Sequence, residues 1–250
     1  MMVKIKLLLT VTLFHATLLN ASFASEIKTI EISTPKWDGF TNKDGTGLYF
    51  ELVKKAYSLS NIKVNYTFVP WPRAVKYVNE NFKDAMLGAY NSDEESIYPN
   101  YPIDVEYTLV IYKKSSLKAW KGVEGLKGQR VYWVRGYNYH EYIKTKLDWR
   151  ELQDTNQGLK LLEKDRIKFF IDSNNTLMPK LKELKFDLSK YVIKPVITKN
   201  LYVRFSRTKK SQELIKIFDQ NMARLLKTKD LEKIYKKWNH KMPDFTNIDK

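Results

Sequence analysis

The chain has 250 residues, enough for one large domain or for two smaller lobes with separate cores. Hydrophobic residues make up 43% and charged residues 29%, values typical of globular proteins, and the absence of cysteine excludes disulfides, thiol catalysis and a cysteine-linked lipid anchor. A formal charge of +16 favours anionic partners, but no nucleic-acid recognition motif accompanies it and we expect the lysines to form solvated helix faces. The three histidines are too few and too scattered for a convincing metal site, and we expect no cofactor.

The first 24 residues have the layout of a secretory signal peptide. Lys4 and Lys6 form a basic start, residues 7–19 are mostly apolar, and Ser22 and Ala24 suit cleavage after Ala24. The apolar run is too short for a comfortable membrane span, although an uncleaved amphipathic anchor is the alternative. We therefore expect a periplasmic product of 226 residues (250 minus 24), without membrane insertion and not a lipoprotein.

Strand and helix patterns alternate along the remaining chain. The first half predicts strands at 27–33, 62–68, 84–89 and 108–112, a helix at 48–60, and a helix opened by Pro70 to Arg73. The second half predicts strands at 129–134, 167–171 and 201–205, a Tyr-rich helix at about 138–147, a helix beginning at Asp154, and two C-terminal helices. This alternation favours parallel sheets and an α/β class.

Six segments carry motifs in a characteristic order and spacing. The first is the early turn at Trp37 to Phe40. It is followed by Gly47 to Leu52, similar to a "GFDVDL" helix start, Asp84 to Ala89, similar to a "D-[aliphatic]-G" strand end, Leu126 to Val131, similar to "LKGKKV", Lys168 to Asp172, similar to "DA-V-D", and Leu231 to Trp238, similar to "L–KIY-KW". In this order and spacing the chain resembles the family 3 periplasmic solute-binding proteins, the amino-acid-type receptors of ABC importers. The resemblance covers nearly all of the mature chain.

The resemblance implies a two-lobed α/β fold of type II periplasmic-binding-protein architecture. Each lobe would be a mostly parallel sheet flanked by helices, and the chain would cross between the lobes twice. Residues 25–113 and 202–250 would form lobe 1, and residues 114–201 would form lobe 2. A small ligand would bind between them, and we expect a monomer.

Loops at the expected cleft carry the candidate ligand contacts. Trp71 and Arg73 could offer an indole face and a guanidinium fork, and Arg135 precedes backbone N–H groups that can hold an anion. By resemblance, Asp172 would receive a ligand amino group; its alternative role is a helix cap or an interlobe pair. The full set of predicted contacts is Trp37, Phe40, Trp71, Arg73, Tyr90, Asn91, Arg135, Tyr137, Asn138, Thr155 and Asp172.

One position departs from the family pattern. The arginine that holds an α-carboxylate in amino-acid receptors corresponds here to Glu95, which cannot clamp a carboxylate. Either Arg73 or Arg135 supplies the charge, or the ligand is not an ordinary α-amino acid; Glu95 could also simply face solvent.

The main functional hypothesis is a solute receptor that delivers an amino acid or related zwitterion to the permease of an ABC importer. The first alternative is a sensor subunit that presents its ligand to a membrane receptor kinase. The second is a dehydratase-like enzyme on the same scaffold, for which Glu94, Glu95 and Asp172 would be the acid/base candidates. The main hypothesis requires no catalysis, metal or cofactor.

Overall fold

The computed structural model describes residues 27–91 and 96–245. The predicted signal peptide, Glu94 and Glu95 lie outside these ranges. The strands are β1 Thr29–Thr34, β2 Lys63–Phe68, β3 Ala85–Tyr90, β4 Asp104–Lys113, β5 Arg130–Val134, β6 Asp148–Leu152, β7 Phe169–Ser173 and β8 Tyr191–Phe205. The helices are α1 Leu48–Ser58, α2 Trp71–Asn79, α3 Thr155–Glu163, α4 Asn174–Glu183, α5 Lys209–Leu225 and α6 Asp230–Lys237.

Helix ends follow local chemistry that the sequence displays. Pro72 lies in the first turn of α2, where a missing N–H is tolerated. The side chain of Asp154 caps α3 by accepting a hydrogen bond from the backbone N–H of Gln157, and Ser173 caps α4 through Thr176 in the same way. These caps begin α3 and α4 at fixed points after β6 and β7.

The strands form one curled sheet in the order β2-β1-β3-β8-β4-β7-β5-β6. The β1 pairings with β2 and β3 are parallel, as are the β5 pairings with β6 and β7. Between these two parallel groups, β4 and β8 run antiparallel over most of their lengths. The middle of the sheet is therefore a pair of long strands that joins two α/β halves.

The hydrophobic cores divide at the same pair of strands. One core, which we assign to the first lobe, draws on residues from Ile30 to Ile103 and from Leu201 to Tyr235. Two further cores, which we assign to the second lobe, use residues between Leu109 and Ile197. The chain therefore leaves the first core within β4 and returns to it within β8. The predicted boundaries at 113/114 and 201/202 stay a prediction.

Three local predictions differ from the structure. The Tyr-rich segment forms only a short 3₁₀ turn at Tyr139–Glu141, because the backbone of Gly136 and Asn138 adopts positive φ, which a right-handed helix does not accommodate. Sequence patterning also missed β6 and α4; α4 contains Pro179, which argues against a helix interior. Finally, β4 and β8 are longer than expected, since both continue through the junction between the cores.

Within the described ranges, no helix combines the length and apolar character that a membrane crossing requires.

Candidate functional site

A cavity of about 700 Å³ lies between the two lobes. Its walls come from the loop after β1, from α2, from the end of β3 and from β4 on one side, and from the loop after β5 and from α4 on the other. A volume of this size matches sites for small molecules. Eight aromatic side chains line it: Trp37, Phe40, Tyr49, Trp71, Tyr90, Tyr137, Tyr139 and Tyr142.

The indole of Trp37 packs directly against the backbone of Gly88 in the first lobe. A Cβ at Gly88, whose φ is 76°, would lie 2.8 Å from Cζ3 of Trp37. On its other sides Trp37 contacts Trp71, with ring centroids 5.6 Å apart, and the edge of Tyr49 at 6.4 Å. The absence of a side chain at Gly88 thus lets a broad aromatic wall form at the end of β3.

The two lobes touch across the mouth of the cavity. A Cβ built on Gly136, after β5, would lie 3.0 Å from Cγ of Pro72 at the start of α2. Tyr137, from the second lobe, also forms a side-chain hydrogen bond with Trp37 of the first lobe. Burial raises the pKa of Tyr137, and this hydrogen bond offsets part of the rise. The structure therefore has the lobes closed on each other.

Glu106, on β4, brings a carboxylate to the cavity. Its Oε1 accepts a hydrogen bond from the hydroxyl of Tyr90 and another, at 3.1 Å, from Oγ1 of Thr108. Burial raises the pKa of Glu106 from an ordinary 4.5 to about 7. The two hydrogen bonds favour the charged form and lower the pKa, but burial has the larger effect. An acid therefore faces the cavity from the strand that joins the lobes.

Asp172, on β7, is fully buried and does not line the cavity. Its Oδ2 accepts a hydrogen bond from Oγ1 of Thr155 at 2.6 Å, and its Oδ1 accepts one from the backbone N–H of Ser173 at 2.8 Å. Burial raises the pKa of Asp172 to about 7, and the charge of Glu106 adds to the rise. Through these two hydrogen bonds Asp172 links the first residue of α3 to the residue that caps α4. The neighbouring residue Ser173, not Asp172, lines the cavity.

The predicted contacts therefore fall into three groups. The structure brings six of them together as cavity lining: Trp37, Phe40, Trp71, Tyr90, Tyr137 and Asn138. Thr155 and Asp172 lie buried behind the wall. Arg73, Asn91 and Arg135 are exposed and are not part of the lining, and Glu95 lies outside the described residues. As ligand contacts, all of these stay predictions.

Sequence reasoning missed Glu106, Tyr49 and Tyr142 as lining residues. Tyr49 was read only as part of a helix start, and the segment holding Tyr139 and Tyr142 as a helix. For Glu106 the local sequence held no signal, since the residue lies two positions before the predicted strand at 108–112.

The other charged groups of the lining mostly have partners. Lys36 pairs with Asp38 at 2.9 Å, and Lys180 pairs with Glu183 at 2.7 Å. The guanidinium of Arg204, on β8, donates hydrogen bonds to Ser96 and Asn79, at 2.6 and 2.7 Å. Glu141 also borders the cavity but is exposed. Among the described residues, no group of three or more His, Asp or Glu side chains is arranged to hold a metal ion.

Comparison with known proteins identifies the fold. No family model and no curated protein matches the chain. Among solved structures, a histidine kinase sensor domain with similarity to periplasmic binding proteins superposes with a TM-score of 0.70 at 19% identity, over 85% of this chain and 96% of that one. An ABC uptake transporter substrate-binding protein from Streptococcus pneumoniae with bound histidine gives 0.66 at 19%, over 84% and 92%. The GluR0 ligand-binding core with L-glutamate gives 0.68 at 14%, over 84% and 97%.

These likenesses span both halves of the molecule and agree with the sheet order, the two joining strands and the cleft between the cores. The chain therefore has the two-lobed α/β fold of type II periplasmic binding proteins, as the sequence resemblance predicted.

Proposed function

We propose that this protein is a periplasmic solute receptor that closes its lobes on a small polar ligand and delivers it to the permease of an ABC importer. The observation that carries the proposal is the cavity of about 700 Å³ with walls from both lobes. Because Gly136 meets Pro72 over its mouth, a ligand inside would be enclosed by lobe closure. Enclosure of this kind couples binding to a change of shape that a membrane partner can recognise.

The division of the chain into lobes belongs to the same proposal. We take residues 25–113 with 202–250 as one body and 114–201 as the other. The separate hydrophobic cores support a division into two bodies, with a first crossing before Leu109 and a second between Ile197 and Leu201. The export signal at 1–24 would place the protein in the periplasm, where a monomer suffices for capture and delivery.

The contacts we propose for the ligand are the predicted residues that line the cavity. Trp37 and Trp71 would cover one face of the ligand, and Tyr90, Tyr137 and Asn138 would supply polar contacts from opposite walls. Arg73, Asn91 and Arg135 would have to move from their exposed positions to contribute.

Binding without chemistry is favoured over an enzyme. The solved structures of the same fold are described as a substrate-binding protein, a ligand-binding core and a sensor domain. The buried acid Asp172 lies behind the cavity wall rather than at its surface, so it is poorly placed as a general acid or base.

Closure can be measured directly because the natural chain has no cysteine. Spin labels on Glu80→Cys, just after α2, and Lys182→Cys, in α4, would report the distance between two helices that flank the cavity. We expect a solute pool from the periplasm, or a single active compound from it, to shorten and narrow this distance. The control carries the same labels on Trp37→Ala, which removes part of the wall. An unchanged distance with every solute, together with no thermal shift, would refute the receptor proposal.

The sensor alternative has one specific observation in its favour, the likeness to a histidine kinase sensor domain. Photo-crosslinkers at exposed positions such as Lys76 and Lys182 would identify the membrane partner in cells. A ligand-dependent crosslink to a permease supports delivery to an importer, whereas a crosslink to a receptor kinase supports sensing.

A further inference from the structure

We propose that the ligand is an organic cation and that Glu106 is the anchor for its ammonium group, inside a ring of tyrosines. The inference rests on the proposed receptor function and names the class of ligand that the cavity takes. The position is on β4, the strand that joins the lobes, and not at Asp172, where the sequence resemblance placed the amino-group contact.

The first argument is that the charge of Glu106 has no protein partner. Its Oε1 accepts the hydrogen bonds from Tyr90 and Thr108, and no described Lys, Arg or His forms an ion pair with it. A desolvated carboxylate without a cation is unfavourable, and a ligand ammonium that reaches Oε2 would supply the missing charge.

The cations nearest to the cavity are otherwise engaged. Lys36 and Lys180 each pair with a neighbouring acid, at 2.9 and 2.7 Å. Arg204 is committed to Ser96 and Asn79, at 2.6 and 2.7 Å.

Lys199 requires separate attention because it lies directly opposite Glu106 in the β4–β8 pairing. Its ammonium group does not bond to Glu106 but lies 5.4 Å from the centroid of the Tyr142 ring. The ammonium group of Lys199 therefore lies over the ring of Tyr142 rather than at the carboxylate of Glu106.

The second argument is the arrangement of phenol rings. Tyr90 and Tyr142 contact edge to face, with centroids 4.7 Å apart, and Tyr137 and Tyr139 do so at 5.6 Å. Burial first, and then the charge of Glu106, raise the pKa of Tyr90 and Tyr139, so these phenols are close to Glu106 and stay neutral. Neutral aromatic rings around one carboxylate provide both cation–π and charge-assisted contacts for an organic ammonium ion.

The third argument is the absence of a clamp for a carboxylate among the predicted arginines. Arg73 and Arg135, the two candidates, are exposed and outside the cavity lining. Neither predicted arginine therefore clamps a carboxylate in the cavity, whereas Glu106 offers a charged contact to a positive group.

The test is binding of purified protein to three probe classes by calorimetry and by the spin-label distance. The probes are amines without a carboxylate (putrescine, agmatine and tyramine), zwitterions (glutamine, histidine and arginine) and dicarboxylates (succinate and glutarate). We expect at least one amine to bind and to close the lobes. Glu106→Gln should weaken that binding by about thirtyfold or more, the usual consequence of removing one partner of an enclosed charge pair.

Three further variants make the result specific. Glu232→Gln removes an exposed acid of α6 outside the cavity lining and should leave amine binding unchanged within about twofold, and Lys199→Gln should leave it unchanged or strengthen it. Tyr142→Leu, which keeps an apolar side chain, should weaken binding by about threefold to tenfold through loss of a cation–π contact.

The outcomes separate this inference from the receptor proposal. If zwitterions or dicarboxylates close the lobes and no amine does, or if Glu106→Gln binds amines normally, the inference is wrong while the receptor proposal stands. If no probe and no periplasmic solute closes the lobes, the receptor proposal fails and the inference fails with it.

Discussion

Replacing Glu106 with glutamine tests the electrostatics of the cavity in ligand-free protein. A pKa of about 7 in the folded protein, against 4.5 for an ordinary glutamate, corresponds to an upper limit of about 3 kcal/mol of destabilisation when the group is ionised. Solvent that reaches the cavity in solution would solvate part of the charge, so we expect about 1–2 kcal/mol, or roughly 3–6 °C in Tm for a chain of this length. Glu106→Gln should therefore melt at a higher temperature than the natural protein at pH 8.

The dependence on pH fixes the sign of this effect. A raised pKa means that the folded protein binds the proton more tightly than the unfolded chain, so the natural protein loses stability as pH rises from about 4.5 to 7. The glutamine variant lacks this loss, so its advantage should be largest above pH 7 and should shrink towards zero near pH 4.5. Relief of the repulsion with Asp172 acts in the same direction.

Thermal melts of ligand-free protein from pH 4.5 to 8.5 would measure the difference, after any co-purified solute is removed by unfolding and refolding. Glu141→Gln, on the exposed border of the same cavity, is the control and should shift Tm by less than about 1 °C. A lower Tm for Glu106→Gln at pH 8, or a difference that does not change with pH, would show that Glu106 is already neutralised in the folded protein.

Gly88→Ala and Gly136→Ala test the packing around the cavity, and Asp172→Asn tests whether this acid contacts the ligand. Gly88→Ala would place a Cβ 2.8 Å from the Trp37 ring, so we expect a loss of about 1–3 kcal/mol in chemical denaturation and altered tryptophan fluorescence; a normal spectrum and stability would contradict the packing. Gly136→Ala would place a Cβ 3.0 Å from Cγ of Pro72 across the mouth, so the spin-label distance should lengthen, whereas Gly122→Ala, with similar φ and nothing within 4 Å, should leave it unchanged. Asp172→Asn should weaken ligand binding less than about fivefold, because the side chain lies behind the wall; a loss as large as that of Glu106→Gln would restore Asp172 as a ligand contact.

Much of the fold was accessible from the sequence because its elements are short and strongly patterned. The burial of Leu231 and Tyr235 in α6 is the amphipathic stripe that the sequence shows, and β1 and β3 lie within two residues of their predicted bounds. The local hydrophobic pattern was sufficient to predict these elements, because each packs its apolar residues against the core.

The segments that pattern missed are those whose structure depends on distant partners. β8 runs for 15 residues through Pro195, and only its pairing with β4 explains why an extended chain continues there. In the Tyr-rich segment, Tyr139 packs against the buried Trp133, with ring centroids 6.0 Å apart, and the preceding Asn138 adopts a positive φ of 53°. Tertiary contacts override local propensity in both places.

The candidate site was predictable mainly through aromatic residues that follow strands or open a helix. Trp37, Trp71 and Tyr137 follow strands or open a helix, positions that sequence reasoning associates with a cleft. Glu106 lies inside a strand, and a strand residue faces a cavity only when the sheet curls and two lobes close over it. The acid at the centre of the site therefore depends on how the lobes meet, which no local pattern records.

Capture of a cation by Glu106 should depend on pH, because an ammonium ion requires the ionised carboxylate. With a pKa of about 7 in the empty site, Glu106 is mostly ionised at pH 8 and mostly protonated at pH 6. Affinity should be constant above pH 8 and fall by up to about tenfold for each pH unit below 7, with release of a proton on binding near neutral pH. Calorimetry in two buffers of different ionisation enthalpy would count that proton, and Glu106→Gln should abolish both the slope and the release. An affinity that is the same at pH 5.5 and pH 8.5 would mean that the ligand does not bind at this carboxylate.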